Sequence, residues 1–141
     1  MDLDSYYEYV SLVGKLRTPQ HALGWSDGIL RTFGLVLDRK TKRDFANALP
    51  EELAHSVKAV FWLLHFRDPN LSLDEFLQRA ARRSGNSGVE FAIHPTLAVF
   101  AGVRNFLTPE LERQVADSLS PELRDCWEQA GSLYEMTAEP A

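Results

Sequence analysis

Apolar residues return at intervals of three and four along this chain, the period of a helix with one face turned from water. Leu3, Tyr6, Val10 and Val13 set the first such face. A second helix is expected to run to about Leu37, a third over roughly Thr41–Leu49 and a fourth from Pro50. No stretch has the strict alternation of a half-buried strand. Further along, the helix starts are better punctuated. Ser72–Glu75 reads SLDE, a capping box in which the Ser72 hydroxyl accepts from the Glu75 amide while Glu75 reaches back. Thr108-Pro109 and Ser120-Pro121 each set a cap residue before a proline, whose missing N–H is not needed at the first helical position. The fold class expected is all-α.

The pattern recurs. With the chain laid on itself at an offset of 70, Leu37 meets Leu107, Arg43 meets Arg113, Ala46 meets Ala116, and Leu53 meets Leu123. Apolar positions between them also coincide, as Ile29 with Val99 and Phe45 with Val115. Nearer each start an offset of 67 fits better, laying Ser5–Val10 on Ser72–Leu77 and placing a three-residue insertion in the turn-rich Arg82–Gly88. The expected organisation is two pseudo-symmetric four-helix repeats packed into one compact domain: 1–67, then 68–134, with 135–141 a flexible tail. The halves differ after Leu53. There Val57, Val60, Phe61 and Leu64 form one apolar stripe, and Ala59, Trp62, Leu63 and Phe66 another on roughly the opposite side. Burying each large side chain is worth about 1.5–3 kcal/mol, so neither stripe should stay in water. Either this helix lies between the halves, or Trp62, Leu63 and Phe66 form a dimer interface.

Two helical units that open on YEYV (7–10) or DEFL (74–77), and close on ANALPEEL (46–53) or ADSLSPEL (116–123), resemble a bacterial family of small proteins known only as a domain of unknown function. The likeness spans roughly Tyr6 to Trp127. It implies an all-helical fold and a bacterial cytoplasmic setting, and it brings no catalytic residues.

Composition narrows the function classes. The chain has 141 residues, 45% of them hydrophobic, and a net charge of −5. Nucleic-acid binders usually carry a basic excess, so none is expected here. The longest apolar run, Ala59–Leu64, is far short of the roughly 20 residues of a membrane span. The start MDLDSYYEYV is acidic, unlike a signal peptide. The lone Cys126 cannot form an internal disulfide. A soluble cytoplasmic protein is the expectation.

Candidate chemistry is sparse. Gly24–Gly28 reads GWSDG, the G-x-S-x-G of a nucleophile elbow, with His21 and Asp27 nearby; the elbow needs a preceding strand, so a helix start or kink capped by Ser26 or Asp27 is preferred. Glu52 and His55 form one E-x-x-H, whereas di-iron bundles use two. Glu90 and His94 are read as a surface pair. Arg39, Lys40, Lys42 and Arg43 make the dense basic run RKTKR, an anion-binding candidate against the alternative of a solvated turn. Tyr7 and Tyr9 flank the core stripe of the first helix and join Trp62, Leu63 and Phe66 as partner-binding candidates. No catalytic residue, metal or cofactor is assigned. The expected function is a non-catalytic interaction or scaffolding module, binding a protein partner or itself. A small-ligand module with an apolar pocket between the repeats and a metal protein using Glu52/His55 are the alternatives.

Overall fold

The structure is a computed structural model that describes residues 1–59, 68–85 and 89–137. The helices are α1 (Leu3–Val13), α2 (Pro19–Val36), α3 (Arg39–Ala48), α4 (Glu51–Lys58), α5 (Leu73–Arg83), α6 (Ile93–Gly102), α7 (Pro109–Asp117) and α8 (Pro121–Thr137). Short 3-10 turns at Val89–Phe91 and Val103–Phe106 bracket α6. Among the described residues there is no strand, and the fold is all-α.

Several caps act as their sequence suggests. Ser72 Oγ accepts from the Glu75 amide at 3.1 Å, and Thr108 Oγ1 from the Leu111 amide at 3.2 Å. The other half of the capping box is not used as expected. Glu122 of α8, not Glu75, reaches this helix start and accepts from the Leu73 amide at 2.8 Å. The Ser120 hydroxyl donates to the Leu71 carbonyl at 3.1 Å, tying the start of α8 to the chain before α5.

Helix α2 corrects the expected boundary. It starts at Pro19, with Thr18 Oγ1 accepting from the His21 amide, and runs without a break through Gly24, Ser26, Asp27 and Gly28. Neither Ser26 nor Asp27 caps a helix. Gly28 serves close packing: a Cβ there would lie 2.9 Å from the Ala80 carbonyl and collide with the Ser84 hydroxyl, so its absence lets α5 press on α2. Gly34 does the same against the Val57 carbonyl of α4. Pro95, by contrast, stands near the start of α6, where a missing amide is tolerated.

Elements start seventy positions apart along the chain: Leu3 and Leu73, Pro19 and Val89, Arg39 and Pro109, Glu51 and Pro121. That spacing extends to the chain start. Asp2 caps α1 as Ser72 caps α5, and buried Tyr6, Tyr7, Val10 and Ser11 stand against buried Phe76, Leu77, Ala80 and Ala81. The element starts do not follow the offset of 67 and need no three-residue insertion. Matching Ser5 to Ser72 paired a helical residue with a cap.

The core forms around Phe33 of α2. Its ring stacks on Trp127 of α8 at 5.6 Å and packs on Phe100 of α6 at 4.8 Å and Phe45 of α3 at 5.5 Å. Phe76 of α5 closes the cluster edge-on at 6.3 Å. Five helices thus meet at one ring, and removing it should cost about 3–5 kcal/mol. Helix α8 continues through Thr137, so residues 135–137 are helical and do not belong to the expected tail. Residues 60–67, with Trp62, Leu63 and Phe66, lie outside the described residues.

Candidate functional site

The G-x-S-x-G motif is structural. Ser26 is wholly buried within α2 and shares a 2.7 Å hydrogen bond with the Tyr6 hydroxyl. Asp27 is engaged by both Arg31 (Nε at 2.9 and 3.0 Å) and the Ser56 hydroxyl at 2.6 Å. A serine in mid-helix, bonded to a buried tyrosine, has no base to take its proton and no room for a substrate.

Glu52 is also committed. It accepts from the Tyr7 hydroxyl at 2.9 Å, while His55 points to solvent. Among the described residues no three of His, Cys, Asp and Glu are grouped to hold a metal ion. Glu90 and His94 are both exposed. Cys126 is buried, and that burial pushes its thiol up to about 12 despite nearby Arg104. It is not a thiolate at neutral pH.

The basic run lies inside α3 and does not converge. Lys40 pairs with Asp44 at 3.2 Å, and Arg43 approaches the other oxygen of the same carboxylate at 3.6 Å. Lys42 lies half-buried along α2 beside Gly34, and burial lowers its pKa. Arg39 is exposed at the first turn. The neighbouring cleft between α3 and α7, about 500 Å³, is lined by Asp38, Glu110 and Asp117 as well as Lys40 and Arg113, so it holds no excess of positive charge.

The tyrosines are used within the fold. Tyr7 is buried at 8% exposure and links α1 to α4 through Glu52; burial first, then that carboxylate, raises its pKa. Tyr9 is half-buried, and its hydroxyl lies 2.6 Å from Thr137 Oγ1 at the end of α8.

Arg104 is the polar centre that the sequence did not mark. Its guanidinium donates to the Phe100 carbonyl at 2.7 Å, to the Trp127 carbonyl, and from Nε to Glu112 at 3.0 Å. It also lies 4.0 Å over the Trp127 ring. Burial lowers its pKa, and Glu112 opposes that shift. Gly131 makes the space, since a Cβ there would sit 3.2 Å from the guanidinium. One buried cation thus joins α6, α7 and α8.

Two clefts adjoin the start of α1. One, of about 590 Å³, lies between Leu3 and the first turns of α4, at Pro50, Glu51, Glu52 and Ala54. The other, of about 440 Å³, lies between Asp4, Tyr7 and Glu8 of α1 and Pro19 and Leu23 of α2. Tyr7 lines the second cleft and bonds Glu52 in the first, so their contact is the ridge between the two. This surface combines apolar walls with carboxylates that make no ion pair among the described residues, and it is the candidate site.

No helix among the described residues is long and apolar enough to cross a membrane. Among curated proteins no sequence matches the chain. A family model described as "Uncharacterized conserved protein (DUF2267)" matches residues 4–131, nearly the whole length, and the chain belongs to that family.

Proposed function

We propose that the chain is a duplicated four-helix unit, 1–67 and 68–134, working as a non-catalytic interaction module. The duplication is supported by the seventy-residue spacing of the helix starts and of the buried positions in α1 and α5. The functional reading rests on one contrast. The polar groups packed against the core are bonded to one another: Arg104 to Glu112, Asp27 to Arg31 and Ser56, Tyr7 to Glu52. Large apolar side chains meanwhile stand in water, with Leu12 and Met136 each 82% exposed and Phe91 68%. Covering such side chains is the main favourable term in protein association. An apolar ligand between the halves would need the space that Phe33, Phe100 and Trp127 occupy.

The test replaces those exposed residues. Leu12→Asp, Phe91→Asp and Met136→Asp should each leave folding intact, because none is in the core. At least one should abolish self-association in sedimentation or capture of a cross-linked protein partner. Full assembly or capture by all three variants would contradict the reading.

A further inference from the structure

We propose that the groove past Tyr7, formed by the two clefts at the start of α1, docks a basic amphipathic segment of a partner chain. This rests on the interaction-module reading and names its site and partner chemistry. The groove walls are apolar: Leu3, Pro50 and Ala54 on one side of the Tyr7–Glu52 ridge, Pro19 and Leu23 on the other. Leu23, a large apolar side chain at the lip, is 45% exposed. The rim is acidic. Asp4, Glu8 and Glu51 are exposed and make no ion pair among the described residues, unlike Asp27, Asp44 and Glu112, which are each held by an arginine or lysine. Asp4 and Glu51 also sit in first turns, where the helix dipole favours a carboxylate. Glu8 lies in mid-helix, with no such role. Among the described residues, Lys58 and His55 provide the only opposing groups on the walls.

Two apolar hollows under an acidic rim fit a helix with apolar anchors at i and i+3 or i+4 and Lys or Arg beside them. Phosphates and acidic peptides would be repelled.

The experiment titrates the isotope-labelled full chain with a synthetic Leu/Lys amphipathic peptide of about 14 residues, against a Leu/Glu peptide of the same pattern. Saturable binding of the basic peptide is expected, with chemical-shift changes confined to residues 3–8, 19–23 and 50–58. The double variant Asp4→Lys, Glu8→Lys should weaken it at least about tenfold. A control pair away from the groove, Glu75→Lys with Glu90→Lys, should leave it within about twofold. No saturable binding, equal binding of the acidic peptide, or an equal loss in the control pair would overturn the proposal. If the groove fails while Leu12→Asp, Phe91→Asp or Met136→Asp still abolishes association, the site falls and the interaction-module reading stands.

Discussion

Gln114 Nε2 donates to Asp44 Oδ2 at 3.1 Å, joining two residues that stand seventy positions apart in the chain. The same amide reaches Thr41 Oγ1 at 3.3 Å, and the Asp38 amide donates to Ser118 Oγ at 2.9 Å, so α3 and α7 run antiparallel. The two residues that the seventy-residue spacing lays on one another thus meet where α3 packs on α7.

Gln114→Glu places a second carboxylate at that crossing. Asp44 is held below its ordinary value first by the Gln114 amide and then by Lys40. Its contribution to stability is therefore present above the unfolded value, near 4, and is lost as pH falls through the lower folded value. The variant should melt below the wild type at pH 7, with the gap closing below about pH 4 as both carboxyls protonate. Equal melting temperatures at pH 7 would show that the two side chains do not interact.

Lys15 and Gly85 give an internal comparison. Both follow a helix and take positive φ, 59° and 82°. Glycine bears this conformation without strain; a lysine pays about 1 kcal/mol for its Cβ. Lys15→Gly should raise stability by about 0.5–1 kcal/mol in urea unfolding, and Gly85→Lys should lower it by a similar amount.

Arg104 is predicted to be the most costly charged residue to remove. Arg104→Met takes a side-chain donor from the Phe100 and Trp127 carbonyls and leaves the Glu112 carboxylate without its cation, a loss of about 2–4 kcal/mol. Gly131→Ala should destabilise by about 1 kcal/mol or more, since the guanidinium is held on several sides and cannot withdraw freely. Denaturant midpoints of the two variants and their double mutant check this; the double should cost less than the sum.

The Tyr6–Ser26 pair has a counterpart seventy residues on, Phe76 and Thr96, in which the tyrosine hydroxyl is missing. Among the described residues Thr96 Oγ1 is buried without a hydrogen-bond partner. Thr96→Val should be neutral or stabilising by up to about 1 kcal/mol. Tyr6→Phe, which strands Ser26 in the same way, should cost about 1–2 kcal/mol. A destabilised Thr96→Val would show that the hydroxyl has a partner after all, a buried water being the obvious one.

These residues also show what could be read from the chain. Periodicity marks the all-α class because each helix turns one apolar face inward, and the Thr108-Pro109 pair marks a helix start that the structure has. The same signal stands at Thr18-Pro19, but the glycines after it suggest a break that the structure does not have. Glycine in a helix can mean a kink or a close neighbour, and only packing against Ala80 and Val57 tells which. Arg104 was unreadable for a related reason. Its partners are two backbone carbonyls, a glutamate on another helix and a ring, none of which leaves a motif. The basic run was legible as charge, but its neutralisation by Asp44 depends on which face of α3 each side chain occupies. Tyr7 and Tyr9 were found as residues beside the core, while the bonds that use their hydroxyls come from α4 and α8.

The interaction-module reading is tested most directly by native mass spectrometry of untagged protein purified without chelator. The account predicts masses equal to the bare polypeptide, its multiples, or its complex with a second polypeptide. A stoichiometric extra mass on the single chain, whether one metal ion or a molecule of a few hundred daltons, would contradict it.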